Sequence, residues 1–259
     1  MKIVVCVKHV PDASGERTFE ADNTTDRTNV DGLLSELDEY AVEEALKLVE
    51  ASEGEVVALT MGPEQATDAV RKALQMGASS GVHVLDDAIA GSDAPATSLV
   101  LARAVEKIGG VDLVLTGMAS TDGSMSVVPP MIAERLGLPQ VTMASELSVD
   151  GSTVTIRRDD DASSETVTAQ LPALVSVTDQ INEPRYPSFK GIMAAKKKPL
   201  ETWSLADIGV DPAQVGLAAS WTQVESFAAR PPRQAGQVVP DEGDGGAKLA
   251  EFLVSQKFV

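Results

Sequence analysis

From Ile3 to Gly137 short apolar runs alternate with longer amphipathic stretches, and this alternation narrows the possible folds more than any other feature of the chain. Residues 3–7, 56–61, 81–85 and 112–116 are mainly apolar runs of strand length, the pattern of strands covered on both faces of a parallel sheet. Helices are expected between them. The first follows Ser35, read as an N-cap with Asp38 three residues on. It carries Tyr40, Ala41, Ala45, Leu48 and Val49 on one side, with Glu43, Glu44 and Lys47 turned away. The others span residues 64–76, 95–108 and 129–136, and Gly77, Gly109-Gly110 and Gly137 stop them in turn.

From residue 141 the pattern changes. Residues 147–149 and 153–156 flank Asp150-Gly151 as a hairpin, and residues 165–170 and 173–177 supply two more strands. All of these are expected to extend one edge of the sheet in antiparallel fashion. The fold class is therefore α/β: a doubly wound, mostly parallel, Rossmann-like sheet, which resembles that of the adenine-nucleotide α-hydrolase and universal-stress type. The nucleotide-binding domain is expected over residues 1–209, with a long C-terminal arm over 210–259. Residues 218–246 lack periodicity and are rich in Pro and Gly, too poor in apolar side chains to build a core. A last helix over 247–258 carries Leu249, Phe252, Leu253 and Gln256 at helical spacing. It reads either as a solvated tail or as an apolar face that another chain covers.

A formal net charge of -18 argues against nucleic acid, whose binding depends on neutralising phosphates. No apolar run approaches the ~20 residues of a membrane span. The opening MKIVVCVKHV reads as a first strand, not a signal peptide, so a cytoplasmic protein is expected. One cysteine, Cys6, rules out an internal disulfide. The two histidines, His9 and His83, lack the spacing of a metal site.

Residues 182–198, NEPRYPSFKGIMAAKKK, stand apart. Pro184 and Pro187 stiffen the entry, and Phe189, Ile192 and Met193 then lead into Lys196, Lys197 and Lys198. Such a stretch is either a solvated connector or a loop offered to another protein. It resembles the segment with which β subunits of electron-transfer flavoproteins reach partner dehydrogenases. The family pattern N-E-P-R-[YF]…I-M-x-A-K-K-K is matched by Asn182, Glu183, Pro184, Arg185, Tyr186, Ile192, Met193, Ala195 and the three lysines. Family members insert one residue, commonly leucine, into the partner, and that place falls on Phe189. The resemblance runs from Ile3 to about Gly209 and is looser beyond.

Residues 117–130, GMASTDGSMSVVPP, follow the fourth strand and open a helix at the carboxyl edge of the sheet, where α/β folds bind ligands. Asp122-Gly123 suits a tight turn, and Ser124 and Ser126 offer hydroxyls. Pro129 and Pro130 lack donors, so free N–H groups must come from Ser126, Val127 and Val128. A Walker A pattern is absent, and a plain helix cap accounts for the same residues. The resemblance implies that this loop grips the phosphate of AMP, or the adenine part of a second FAD in electron-bifurcating members. Asp122, Gly123 and Pro130 match the family pattern. Val127 and Pro129 replace its Gln and Gly, which bifurcating members keep, so the likeness favours AMP.

The same likeness places adenosine contacts at Cys6, Ser35 and Met61, positions that otherwise read as a buried thiol, an N-cap and a core methionine. It gives Glu165, in the acidic stretch 156–165, a basic partner on the flavin domain of an α subunit. Taken together it implies a non-catalytic electron carrier that works in fatty acid oxidation. Such a carrier is the β half of a heterodimer with FAD held mainly by the α subunit, accepting electrons from acyl-CoA dehydrogenases and passing them to a quinone oxidoreductase at the membrane. Two other readings share the sheet. A universal-stress-type regulatory protein would not need the 182–198 segment or the arm. An adenine-nucleotide α-hydrolase would need a Gly/Ser-rich loop after the first strand, where Lys8-His9-Val10-Pro11-Asp12 stands instead.

Overall fold

The computed structural model describes residues 1–15, 17–233, 236 and 238–259, so the aperiodic stretch 218–246 falls partly outside the described residues. Two compact units emerge, Met1–Glu225 and Ser226–Val259. In the first, a nine-stranded sheet runs in the order β11-β5-β4-β1-β6-β10-β7-β8-β9. Its members are β1 (Lys2–Cys6), β4 (Glu55–Met61), β5 (Ser80–Val84), β6 (Leu113–Gly117), β7 (Gln140–Asp150), β8 (Thr153–Asp159), β9 (Ser164–Gln170), β10 (Ala173–Val177) and β11 (Leu200–Trp203). Strands β2 (His9–Pro11) and β3 (Gly32–Leu34) form a separate antiparallel ribbon that lines the chain after β1.

Side chains alternate across the sheet as the pleat dictates. Ile3 and Val5 of β1 face one helical layer, and Val4 faces the other. The first layer holds α1 (Glu36–Ala51) and α2 (Thr67–Met76), packed through Ala41, Val42, Ala45, Leu46, Val70 and Ala73. The second holds α3 (Ala94–Ile108) and α4 (Val128–Leu136), packed through Val100, Leu101, Ala104, Ile132 and Ala133. Apolar strands between two helical layers are what the alternation of the first 137 residues predicts.

Three expectations are corrected. Residues 173–177 do not join the antiparallel edge: β10 lies between β6 and β7 and runs parallel to both. All five of its residues are buried, so its continuous apolar run marks an interior strand. Only β8, β9 and the distal part of β7 form the antiparallel extension. Second, Glu43 and Glu44 do not point to solvent. They are 6% and 4% exposed, because residues 182–185 cover that side of α1. Third, Ser35 occupies the N-cap of α1 without capping through its side chain, and Asp38 accepts instead from the Lys8 N–H at 2.8 Å.

The first unit continues past Gly209 to Glu225, because Val210 and Val215 are buried beneath the second helical layer. The second unit contains α6 (Gly245–Ser255), none of whose residues is buried; Leu249, Phe252 and Val254 are exposed. Among the described residues no helix is long and apolar enough to cross a membrane.

Candidate functional site

The residues expected to hold a nucleotide converge on the carboxyl edge of the sheet. Cys6 ends β1, Met61 ends β4, Ser35 starts α1, and the loop from β6 to α4 carries Asp122, Ser124, Ser126 and Val127 up to Val128. Strand β6 meets the start of α1 closely: a Cβ on Gly117 would lie 2.7 Å from both Asp38 Oδ1 and Leu37 O. Only glycine allows that approach. In the loop, Ser124 and Ser126 both take positive φ, at 51° and 57°, and Val127 returns to the right-handed region. Alternating φ signs turn successive N–H groups toward one hollow, as in anion-binding nests. Among the described residues, the N–H groups of Ser126, Val127 and Val128 have no partner. The Ser35, Thr60, Thr116 and Thr121 hydroxyls, at this same edge, are also buried without a partner in the chain. Unmet polar groups at the end of a parallel sheet fit a polar ligand such as a nucleotide.

The sequence reading missed the charges behind this edge. Asp122 is bonded to Lys8 Nζ at 2.8 Å and to Arg27 Nη2 at 2.6 Å, with its own side chain only 3% exposed. Burial alone would raise its pKa, but Lys8 and Arg27 outweigh it and hold the carboxyl below the ordinary range. Asp122 is thus a knot joining the turn after β1, the 12–31 loop and the β6–α4 loop, with its oxygens already engaged. Asp38 responds in the opposite way. Burial dominates over the N–H bonds from Lys8 and Gly117, and its pKa rises to about 7. Burial, then the Asp38 charge, pushes the Cys6 thiol up to about 12. That keeps it protonated and unreactive. His83 is buried, with Nε2 at 3.0 Å from Gly62 O.

Residues 182–198 form a second site, away from this edge. Here α5 (Phe189–Ala195) replaces the expected loop, with Ser188 as N-cap accepting from the Gly191 N–H. Phe189 is 80% exposed, and Ile192 and Met193 are exposed beside it. The stretch before α5 is bound to α1. Asn182 donates to Tyr40 O and Glu44 Oε2, both at 3.0 Å. Arg185 grips Glu43 through Nε at 2.7 Å and Nη2 at 3.0 Å, and also reaches Glu50. Lys196 and Lys197 are exposed after the helix, whereas Lys198 donates to Leu74 O at the end of α2. Glu165 stands on β9 opposite Arg158, 3.5 Å from its guanidinium, and remains more than half exposed. These three places are separate regions of the first unit.

The sheet order and the polar hollow at its carboxyl edge define the chain as a Rossmann-like α/β protein. Residues 22–208 match the electron transfer flavoprotein domain. The electron transfer flavoprotein subunit beta of Mycobacterium leprae is 49% identical over 263 residues, covering 99% of each protein. That of Megasphaera elsdenii is 34% identical over 270 residues and covers all of both. The caffeyl-CoA reductase-Etf complex subunit CarD of Acetobacterium woodii is 36% identical over 257 residues, covering 99% of this chain and 97% of that protein. The chain belongs to the electron transfer flavoprotein family, on its β-subunit side. It is an electron carrier subunit, and a β subunit implies an α subunit as its companion.

Proposed function

We propose that this chain pairs with an α subunit that holds most of the FAD, accepts electrons from acyl-CoA-type flavoprotein dehydrogenases in fatty acid oxidation, and passes them to a membrane quinone oxidoreductase from the cytoplasm. FAD is the group that takes up and releases the electrons. The chain itself supplies a wall for the flavin and a place where the donor docks. The carboxyl-edge hollow would take AMP as a structural ligand: Ser126, Val127 and Val128 would turn their N–H groups to its phosphate, with Ser124 beside them, and the strand ends at Cys6, Ser35 and Met61 would line its adenosine. Asp122 would hold the loop in shape and leave the phosphate to the backbone. Glu165 would face a basic residue of the flavin domain, exchanging a loose internal pair with Arg158 for one between subunits.

The observation that carries the reading is the exposed apolar face of Phe189, Ile192 and Met193 on a helix fixed to the domain, followed by Lys196 and Lys197. Buried anchors of this kind typically cost ~2 kcal/mol or more on truncation. Phe189→Ala should therefore weaken electron transfer from a donor dehydrogenase ~30-fold at limiting carrier. Flavin and AMP content should stay the same. Unchanged donor kinetics would defeat the docking role, and release of a second FAD in place of AMP from the heated heterodimer would replace the nucleotide assignment.

A further inference from the structure

The apolar face of α5 is useful to a partner only if the helix holds still, and the residues that hold it are not those that would meet the partner. Along the segment Gly191, Ala195 and Lys198 are half-buried, while Phe189, Lys190, Ile192, Met193 and Ala194 are exposed. Gly191 and Ala195, at i and i+4, share one face of α5, and Lys198 follows just past the end of the helix. That face lies on α2. A Cβ built on Gly191 would stand 2.5 Å from Gln75 O, so the backbone of α5 rests directly on the last turn of α2. Lys198 Nζ donates to Leu74 O, the neighbouring carbonyl, at 2.9 Å. Both carbonyls belong to the final turn of α2, whose oxygens have no partner within the helix. The other end of the segment is tied to α1 through Arg185, whose guanidinium spans the buried Glu43 and the exposed Glu50.

We propose that Gly191 and Arg185 are positioning residues. They seat α5 on α2 and α1 so that Phe189 is presented in one fixed orientation, and neither touches the partner. This deepens the docking role proposed above and rests on it. A preformed anchor loses less freedom on association than a loop that must order first. Fixing α5 therefore lowers the carrier concentration needed for half-maximal transfer without altering the electron step.

Gly191→Ala tests this with an unusual sign. Alanine is a better helix former than glycine, so α5 itself should gain helix content. The added methyl nevertheless meets a backbone oxygen and must lift the helix from its seat. The heterodimer is assayed as electron acceptor for a purified acyl-CoA dehydrogenase. Gly191→Ala should raise the KM for the carrier ~5-fold or more and leave kcat within about twofold. Flavin content should not change, and the thermal midpoint should fall by no more than a few degrees. Arg185→Lys keeps a charge beside Glu43 but loses the fork that also reaches Glu50, and it should shift KM in the same direction. In a Phe189→Ala background both substitutions should have little further effect, because the anchor they orient is gone. If Phe189→Ala raises KM while Gly191→Ala and Arg185→Lys leave it unchanged or lower it, the positioning role is overturned and docking stands. A full additive effect in the Phe189→Ala background also overturns it. If Phe189→Ala itself leaves KM unchanged, docking falls and the positioning role falls with it.

Discussion

Asp38 and Asp122 lie behind the same hollow and answer burial in opposite ways, with consequences that pH can read. Asp38 has a pKa raised to about 7, so across the range from the ordinary carboxyl value of about 4 up to 7 the folded chain keeps a proton that the unfolded chain has lost. Its contribution to stability therefore falls as pH rises through that window. Asp122 is held low by Lys8 and Arg27, so its contribution is complete above about pH 4 and is lost on further acidification. Asp38→Asn should gain on the wild type in melting temperature as pH goes from about 5 to about 7.5, measured by calorimetry at each pH. A constant difference between the two would rule out ionisation of Asp38 in that range. Asp122→Ala should cost about 2 kcal/mol in urea unfolding, because two charge-assisted bonds are lost and two cations are left facing each other. Asp122 was legible from its turn-forming neighbour Gly123. Its partners lie 114 and 95 residues away in sequence, and a salt bridge over that distance leaves no periodic trace.

At the scale of elements, the periodic pattern predicted β1, β4, β5, β6 and α1 to α4 to within a residue or three, since burial on two faces imposes it; the three-residue strands β2 and β3 are too short to leave such a trace. It failed where another segment altered the surroundings. Glu43 and Glu44 read as solvent-facing because nothing in α1 announces that Asn182 and Arg185 will cover them. The motif 182–186 belongs to the segment expected to dock a partner, yet two of its polar side chains, Asn182 and Arg185, bind α1. The three lysines after α5 likewise differ in their surroundings. Lys196 and Lys197 are exposed, and replacing both with Ala should slow association with the donor and flatten its salt dependence, in stopped-flow experiments over a range of ionic strength. Lys198 sits on the end of α2, where burial lowers its pKa. Lys198→Met should lower the melting temperature by a degree or more, roughly the ~0.5 kcal/mol of a cation at a helix C-terminus, and leave the salt dependence alone. An equal salt effect from all three would contradict a separate role for Lys198.

For the whole molecule, the sheet and both helical layers lie within Met1–Glu225, and α6 buries none of its residues. A chain ending at Glu225 should consequently melt within a few degrees of the full chain in a calorimeter, and retain less flavin when mixed with the α subunit. A collapse in melting temperature would mean that the C-terminal unit is part of the core. That the sheet is mostly parallel was legible from the sequence; its strand order, including the place of β10 and the edge strand β11, was not, because strand pairing is decided by crossover connections and not by local composition. The lone thiol at the end of β1 has a different use. With its pKa raised to about 12 by burial and then by Asp38, Cys6 should be silent toward maleimides and iodoacetamides at neutral pH. The native chain is therefore a blank background for site-directed labelling: a cysteine placed at Lys190 or at Ser164 would carry the only reactive sulfur, and a spin label or fluorophore there would report the approach of a donor or of a flavin domain without any prior substitution to clear the protein of thiols.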